Sequence, residues 1–468
     1  TIAVCYQELN HFEDALIALD KAISYGYTHY DQYLIRGKIY HSHHHFDKAL
    51  LNYYLYKGLL DKESTKYQQE LDEVENLIRQ CDNGYLLKAN ALVIEMSNLG
   101  EGINTEFPEY APVISSDEEI LLFTSRRPNT TGGKKEHFSG KYFEDIYISI
   151  KENGAWSNPQ NIKQINTTHH DASVGLSADG KALLLYRPDT KNFNGGNLFI
   201  SYLKDSTNLY SWSSPKSLGD NINSKYWEPS GCISSDYKVI YFVSNRPGGF
   251  GGTDIYKSIR EEDETWGEAV NLGPNVNTKY DEDSPYITPG GNVLYFSSKG
   301  HQGMGGYDIF MVLDPSEKGE WMEPINLGYP INSAKDDLHF SWNLAGTQGY
   351  FSSVREDSYG EHDLYHITRP ESSTHKVYLK GIVTDYLTGG SVKNARISLI
   401  NKSGNKVITE VFTDKNGNYK IPIKMGEDYQ IIIESNGYVS KDDDFCAPEE
   451  GYYYEIAKNL DIKPYSEK

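Results

Sequence analysis

A carboxylate and an arginine recur together through the middle of the chain, and no other pattern in the sequence offers as much polar chemistry. The acids are spaced by 62, 57, 54 and 55 residues: Glu109, Asp171, Glu228, Glu282 and Asp337. Four arginines follow them, Arg127, Arg187, Arg246 and Arg355, whereas the fourth copy has Lys299-Gly300 instead. Such a pair most simply forms a hydrogen-bonded ion pair that fixes loop geometry. The alternative is a ring of carboxylates around a central channel that holds a cation or a basic peptide.

Two further clusters invite a metal-binding interpretation. His41, His43, His44 and His45 form a histidine-rich tract, which can chelate metals, although a solvated turn between helices is the simpler interpretation. Asp442-Asp443-Asp444 could contact calcium, but runs of like charge more commonly form solvated loops. Cys5, Cys81, Cys232 and Cys446 lie far apart, without the spacing of a metal site or a disulfide framework.

Searches for catalytic motifs find none: no Gly-x-Ser-x-Gly, no His-Glu-x-x-His, no phosphate-binding loop and no EF-hand loop occur in the sequence. The glycine-dense segment Gly248–Gly252 leads into a predicted strand, so it lacks the helix N-terminus that binds phosphate. We therefore expect a protein that is not an enzyme and has no catalytic, cofactor-binding or metal-binding residues. The partner-binding residues stay open at this stage.

Length, charge and apolar content exclude some classes of function and predict the number of domains. The 468 residues carry a net charge of -21, which repels nucleic acid and anionic lipid. The longest apolar stretches, such as residues 91–96, are far shorter than the roughly 20 residues of a membrane-spanning helix. A length near 150 residues per domain predicts about three domains.

The elements at the front of the chain are predicted to be helices. Residues 1–60 match themselves after a shift of 34, and Ala3, Tyr6 and Ala15 then align with Gly37, Tyr40 and Ala49. Asn10-His11-Phe12 begins one interhelical turn, and residues 65–81 have one apolar face. The period resembles that of the tetratricopeptide repeat. The expectation for residues 1–84 is therefore an all-α tetratricopeptide solenoid, whose concave face could bind a partner protein.

Residues 85–372 repeat a unit of four short strands. Each unit opens on a phrase such as Asn277-Thr278-Lys279-Tyr280-Asp281-Glu282, and the first four units close on a Trp-containing strand that ends in Asn-Leu-Gly or a related sequence. Five such units predict a five-bladed β-propeller. The fifth unit stops near Arg369-Pro370 without a fourth strand, so we expect the segment at 90–98, which ends in Asn98-Leu99-Gly100, to supply it and close the ring.

Residues 375–468 alternate apolar strands with Asp-Gly and Asn-Gly turns, which predicts a small antiparallel sandwich of about seven strands. The order of Val383-Thr384-Asp385, Thr388-Gly389 and Thr413-Asp414-Lys415-Asn416-Gly417-Asn418-Tyr419 resembles the carboxypeptidase-regulatory-like domain, a transthyretin-like β-sandwich. That resemblance implies a spacer or adhesion module and no peptidase chemistry.

Residues 90–370 resemble the WD-like repeats of TolB-type propellers. The whole arrangement of helices, propeller and sandwich resembles the PorE-like group of Bacteroidota periplasmic proteins, which belong to the type IX secretion and gliding machinery. The resemblance implies an outer-membrane-associated scaffold, held by a lipidated cysteine and linked to peptidoglycan through an OmpA-like domain; neither feature is visible in this sequence, and we expect both to lie beyond its ends. The alternative is a receptor whose propeller channel takes a glycan or peptide, and a hydrolase-associated propeller is a third possibility.

Overall fold

The computed structural model describes residues 2–8, 11–92, 94–137, 139–188, 195–314, 321–368, 377–404, 406–424, 426–447 and 455–465. The chain divides into two compact units, Thr1–Pro370 and Glu371–Lys468. Asn10, Arg369 and Pro370, which belong to the motifs quoted above, and positions 93 and 375 of the ranges quoted there, lie outside the described residues.

The first unit begins with five helices: α1 (Ile2–Glu8), α2 (Phe12–Ser24), α3 (Asp31–Ser42), α4 (Phe46–Gly58) and α5 (Tyr67–Ala89). Small residues lie where two helices cross closely. A Cβ atom on Gly37 would meet the ring of Tyr53 at 2.4 Å, and one on Gly84 would meet Phe46 at 2.6 Å. None of the helices in the described part of the chain is both long and apolar enough to cross a bilayer.

The all-α tetratricopeptide solenoid expected at residues 1–84 is wrong. The described chain is mostly β, and its few helices do not form a stack of repeats. A solenoid needs about three or more like repeats that contact only their neighbours. Here α4 and α5 instead complete their core with Met304 and Tyr329 of the strand-rich region. The 34-residue period therefore reflects two similar helix pairs, and it does not indicate a repeat architecture.

Five antiparallel sheets follow the helices, each built from aromatic and β-branched strands bounded by Gly, Asn and Asp turns. Blade 1 contains β2 (Glu109–Ile114), β3 (Ile120–Ser125), β4 (Asp145–Glu152), β5 (Ala155–Trp156) and β6 (Gln160–Asn161). Blade 2 contains β7 (Ala172–Leu176), β8 (Ala182–Pro188), β9 (Gly196–Tyr202) and β10 (Lys216–Ser217). Blade 3 contains β11 (Gly231–Ile233), β12 (Val239–Ser244), β13 (Asp254–Ile259) and β14 (Val270–Asn271).

Blade 4 contains β15 (Glu282–Ile287), β16 (Val293–Ser298), β17 (Asp308–Leu313) and β18 (Ile325–Asn326). Blade 5 contains β19 (Asp337–Trp342), β20 (Gln348–Ser353), β21 (Asp363–Thr368) and, at its outer edge, β1 (Glu95–Asn98). The first strands of the five sheets, β2, β7, β11, β15 and β19, contact one another in that order, and β19 contacts β2. The sheets thus form a closed ring, which fits the expected five-bladed propeller.

The ring is closed by strands from both of its ends. In blade 5, β1 pairs antiparallel with β21, so that Glu95 lies opposite Thr368 and Asn98 opposite Tyr365. This is the closing strand that the sequence pattern predicts. The side chain of Asn104 adds a second tie, because it bonds both the N–H and the carbonyl oxygen of Leu364.

The second unit consists of two packed four-stranded sheets. Their strands are β22 (Val377–Asp385), β23 (Arg396–Asn401), β24 (Lys406–Phe412), β25 (Asn418–Ile423), β26 (Asp428–Glu434), β27 (Lys441–Cys446), β28 (Glu455–Ala457) and β29 (Leu460–Ile462). Alternate side chains are buried, as in β25, where every second residue faces the core. The features fit the expected sandwich, although β28 and β29 pair with β22 in parallel.

Candidate functional site

The recurring acids lie inside the blades. All five, Glu109, Asp171, Glu228, Glu282 and Asp337, have fully buried side chains at the start of a first strand or just before it. Four of them form the expected ion pairs, with N···O distances of 3.0 Å to Arg127, 2.6 Å to Arg187, 3.4 Å to Arg246 and 2.8 Å to Arg355. A repeated intra-blade pair of this kind fixes loops, and because all five carboxylates, Glu282 included, are buried within their blades, none of them lines a channel.

Each arginine makes the same three contacts. Besides the carboxylate, it donates to one backbone carbonyl of the segment that enters its blade, Ile103, Ile165, Ile222 or Ile331. Its guanidinium also covers an aromatic ring, for example that of Tyr147, whose centroid is 4.8 Å from the guanidinium carbon of Arg127. The arginine therefore ties the entering loop, the first strand and the aromatic strands into one block.

Blade 4 departs from this arrangement at the position of the arginine, which Gly300 occupies. A Cβ atom there would lie 1.9 Å from Oγ1 of Thr278, so a longer side chain does not fit without movement. His301 takes over the arginine's contact with the aromatic strands, because its imidazole packs against both Phe296 and Phe310. Glu282 keeps hydrogen bonds from Thr278 and Ser298 but pairs with no cation in the part of the chain that the structure describes, and burial raises its pKa to about 7.

The centre of the propeller is filled by side chains. The first strands leave a cavity of about 30 Å³, lined by residues such as Val113, Leu176, Cys232 and Phe340. A volume of this size accommodates a water molecule, and a sugar ring or a peptide has no room in it. The central channel therefore does not match the alternative expectation of a ligand-binding channel.

The histidine tract lies where the helices meet the propeller. His41 is buried between the hydroxyl of Tyr53 and the carbonyl oxygen of Met304, and desolvation lowers its pKa to about 4. Nε2 of His44 accepts a hydrogen bond from the backbone N–H of Ala334. Burial lowers the pKa of His44 to about 3. Both imidazoles are thus neutral hydrogen-bonding groups of an internal interface, and neither is part of a solvated turn.

The same interface contains residues that the sequence analysis did not single out. Met304 is fully buried in the helical core, Gln80 donates to the carbonyl oxygen of Gly305, and Asn83 donates to those of Gln302 and Gly303. In the sequence, this contact is indicated by a single apolar residue, Met304, in an otherwise glycine-rich turn. Phe250 holds the corresponding position in blade 3, where it is 50% exposed and does not belong to the helical core that buries Met304.

The aspartate run on β27 does not form a cation site. Asp443 points to the opposite face from Asp442 and Asp444, since successive residues of a strand alternate. Asp443 pairs with Lys458 at 3.2 Å and Asp444 with Lys402 at 2.8 Å. Across the described residues, no group of three or more His, Cys, Asp or Glu side chains has the geometry to hold a metal ion.

The helices present an apolar surface that nothing in the described chain covers. A groove of about 650 Å³ lies at the α2–α3 turn, and we call it the tyrosine groove; it is lined mainly by Tyr27, His29, Tyr30, Tyr33 and Leu59. On α4 the exposed residues continue from Leu59 along one helical face: Leu51, Tyr54 and Leu55, with 63%, 55% and 44% of each side chain exposed. We call these three the α4 stripe.

Comparison with known proteins identifies a domain family for part of the second unit. Residues 378–449 match the family "Carboxypeptidase regulatory-like domain", so the expected resemblance of the second unit is confirmed at the level of this domain. No curated protein matches the chain.

Several solved structures are similar to it at low identity. TolB from Acinetobacter baumannii is 14% identical, with 56% of this chain and 55% of that one covered and a TM-score of 0.31. A TolB described as putative, from Agrobacterium tumefaciens, is 15% identical, with coverages of 71% and 98% and a TM-score of 0.34. An alpha-L-arabinofuranosidase from Lactobacillus brevis is 13% identical, with coverages of 57% and 91% and a TM-score of 0.40. The chain thus spans about half the length of the first of these proteins.

Proposed function

We propose that this protein is a non-enzymatic scaffold that holds partner proteins on its helical segment. The observation that carries the proposal is the joined apolar surface of the tyrosine groove and the α4 stripe, where several large apolar side chains are exposed next to one another. Contiguous exposed apolar patches of this kind mark protein interaction sites. Tyrosine is also among the residues that contribute most to binding energy at interfaces.

The tyrosines of the groove are held in place before any partner binds. Tyr30 stacks on His29 with ring centroids 4.4 Å apart and contacts Tyr56 at 5.5 Å. Partial burial and the nearby carboxylates of Glu70 and Asp31 raise the pKa of Tyr30 above its ordinary value of 10.0. Because their rotamers are restricted in advance, less side-chain entropy is lost on binding.

The helices are also packed firmly against the propeller. Met304 fills their core from the propeller side, and His41, Gln80 and Asn83 add polar contacts to the same turn. A partner bound to the helices is therefore held at a fixed position relative to blades 4 and 5. Holding one protein in a defined orientation is what a scaffold requires.

We further propose that the protein works in the periplasm at the outer membrane, with subunits of the type IX secretion or gliding machinery as partners. The support is the resemblance of the repeated propeller phrase and the regulatory-like domain to the PorE-like group. On the same basis, peptidoglycan binding would reside in an OmpA-like domain and not in any residue of this chain.

The test is affinity capture of the full-length protein from its native envelope in mild detergent, followed by mass spectrometry. We expect translocon or gliding-motor subunits to co-purify with the wild type. A Leu51→Ser/Tyr54→Ser variant should lose them, while Tyr359→Ser, which alters a 51%-exposed tyrosine of blade 5, should retain them. Recovery of the wild type alone would reject the scaffold. Capture of unrelated envelope proteins through the same two residues would reject only the secretion assignment.

A further inference from the structure

A large cleft lies between the outer parts of blades 2 and 3. It has a volume of about 800 Å³, within the range of small-molecule sites in proteins. Blade 2 ends there in β10, a strand of only two residues. On the opposite side, the hairpin that connects β13 to β14 forms the wall. Asn221 ties the two blades together, because its side-chain amide donates to the carbonyl oxygen of Trp266 at 2.6 Å.

The floor of the cleft is apolar and rigid. Ile200, Leu218, Ile233 and Trp266 line it, and all four belong to the core shared by blades 2 and 3. The ring of Tyr202 stands at the wall with 37% of its surface exposed. A ligand in this cleft would therefore meet flat apolar and aromatic surface on its inner face.

The rim is polar and electrically balanced. Two cations, Lys216 and Arg260, face two acids, Asp220 and Glu264. Arg260 lies 3.7 Å from Glu264, whereas the side chains of Lys216 and Asp220 form no ion pair with any residue that the structure describes. With its amide nitrogen used on Trp266, Asn221 keeps its side-chain oxygen as an acceptor. The rim offers donors and acceptors without a net charge that would select an anion or a cation.

We propose that this cleft binds a neutral oligosaccharide. A pyranose ring combines an apolar face of C–H groups with an equatorial edge of hydroxyls, each of which both donates and accepts hydrogen bonds. The first feature matches the floor and the Tyr202 ring, and the second matches the balanced rim. The site is separate from the tyrosine groove and the α4 stripe, so it adds a ligand to the protein and does not depend on the scaffold proposal.

The test is isothermal titration calorimetry of the full chain with cellotetraose, maltotetraose and the tetramer of N-acetylglucosamine. Tetragalacturonate serves as the charged comparison and tetra-alanine as the peptide comparison. We expect at least one of the three neutral sugars to bind. Its affinity should fall tenfold or more in both Tyr202→Ala and Asp220→Ala, and stay unchanged in Tyr359→Ala, which truncates an exposed tyrosine of blade 5.

Asp220 is exposed, and its side chain makes no hydrogen bond or ion pair with the described residues, so Asp220→Ala should fold even if Tyr202→Ala does not. Melting curves followed by circular dichroism check both variants. Three results would overturn the proposal: no neutral sugar binds, a correctly folded cleft variant binds the sugar as tightly as the wild type, or tetra-alanine or tetragalacturonate binds in place of the neutral sugars. Partner capture by Asp220→Ala should match that of the wild type, which separates this test from that of the scaffold.

Discussion

Nε2 of His301 lies 2.9 Å from the carbonyl oxygen of Val276. An arginine makes the corresponding contact in each of the other four blades. The imidazole thus keeps the arginine's place over the aromatic rings, but it is too short to reach the acid of its own blade. As a result Glu282 is the recurring acid without a guanidinium partner among the described residues.

The free energy of unfolding should fall as the pH rises because of Glu282. Its pKa is about 7 in the folded protein, against 4.5 as the ordinary value. Between those two pH values the folded state keeps the proton that the unfolded state has lost, so the folded state is progressively disfavoured. The full loss, reached above pH 7, is up to about 3 kcal/mol for a shift of this size.

Glu282→Gln should remove this slope. The amide can donate to the hydroxyls of Thr278 and Ser298, which can act as acceptors. Urea unfolding at pH 5, 6, 7 and 8 should show that the variant gains stability over the wild type as the pH rises. Glu228→Gln is the matched control in blade 3, and it should destabilise at pH 8 because it strips Arg246 of its carboxylate. Equal pH slopes for the wild type and Glu282→Gln would contradict the assignment.

Arg127→Met should destabilise the propeller because it leaves Glu109 buried without a cation. Breaking one partner of a buried ion pair costs about 3–5 kcal/mol. The double variant Arg127→Met/Glu109→Gln should recover part of that loss, since no uncompensated charge remains. Equilibrium urea unfolding of the two single variants and the double variant measures the coupling. Strictly additive losses would mean that the pair contributes nothing beyond its separate contacts.

The repeated parts of this molecule could be predicted from the sequence. The phrase around Glu282 and its four relatives marks the start of every first strand, and the unfinished fifth unit pointed to the strand that ends in Asn98. The acid–arginine pairs followed from the same logic, because a pair that recurs once per blade must perform the same task in each.

The parts that occur once could not be predicted in this way. Met304 and Tyr329 meet the helices through surfaces that lie far apart in sequence, and such a contact leaves no period to detect. In the helical segment, a period is present in the sequence but does not reveal how the helices pack. Its 34-residue match described two helix pairs correctly, yet it could not show that the core of α4 and α5 is completed by the propeller. Propensity and pattern specify elements, whereas the packing of one element on a distant one depends on shape.

Met304→Ala should loosen the helices from the propeller. The side chain is fully buried in the helical core, and truncating a buried methionine costs about 2–5 kcal/mol. Phe250→Ala changes the corresponding residue of the blade 3 turn, which is exposed, and it should leave the protein unchanged. Limited proteolysis followed by mass spectrometry should show faster cleavage between residues 12 and 89 in Met304→Ala only. Equal cleavage of both variants would show that Met304 does not hold the helices.

Asn98 and Asn271 make the same contacts in different settings, which permits a test of ring closure. Each donates to the aspartate that opens the third strand of its sheet, Asp363 or Asp254, at 2.7 Å. Each also accepts from the backbone N–H of a glycine two residues later, at 2.8 Å. In blade 3 the bond to the aspartate joins residues that are 17 positions apart in sequence, whereas in blade 5 it joins the two ends of the ring, 265 positions apart.

Alanine at either position should therefore cost a similar amount, about 1–3 kcal/mol for a buried polar group left without its partner. The two variants should differ in how far along the strands hydrogen exchange rises. We expect hydrogen exchange to rise along β1 and β21 in Asn98→Ala, because loss of this bond frees a strand that enters the sheet from the far end of the ring. In Asn271→Ala the rise should stay within the outer strands of blade 3, whose connection to their neighbours is short. If both variants exchange faster only at the substituted site, the ring is held closed by the strand pairing of β1 with β21 and the Asn104 clamp, and the Asn98 side chain is not required.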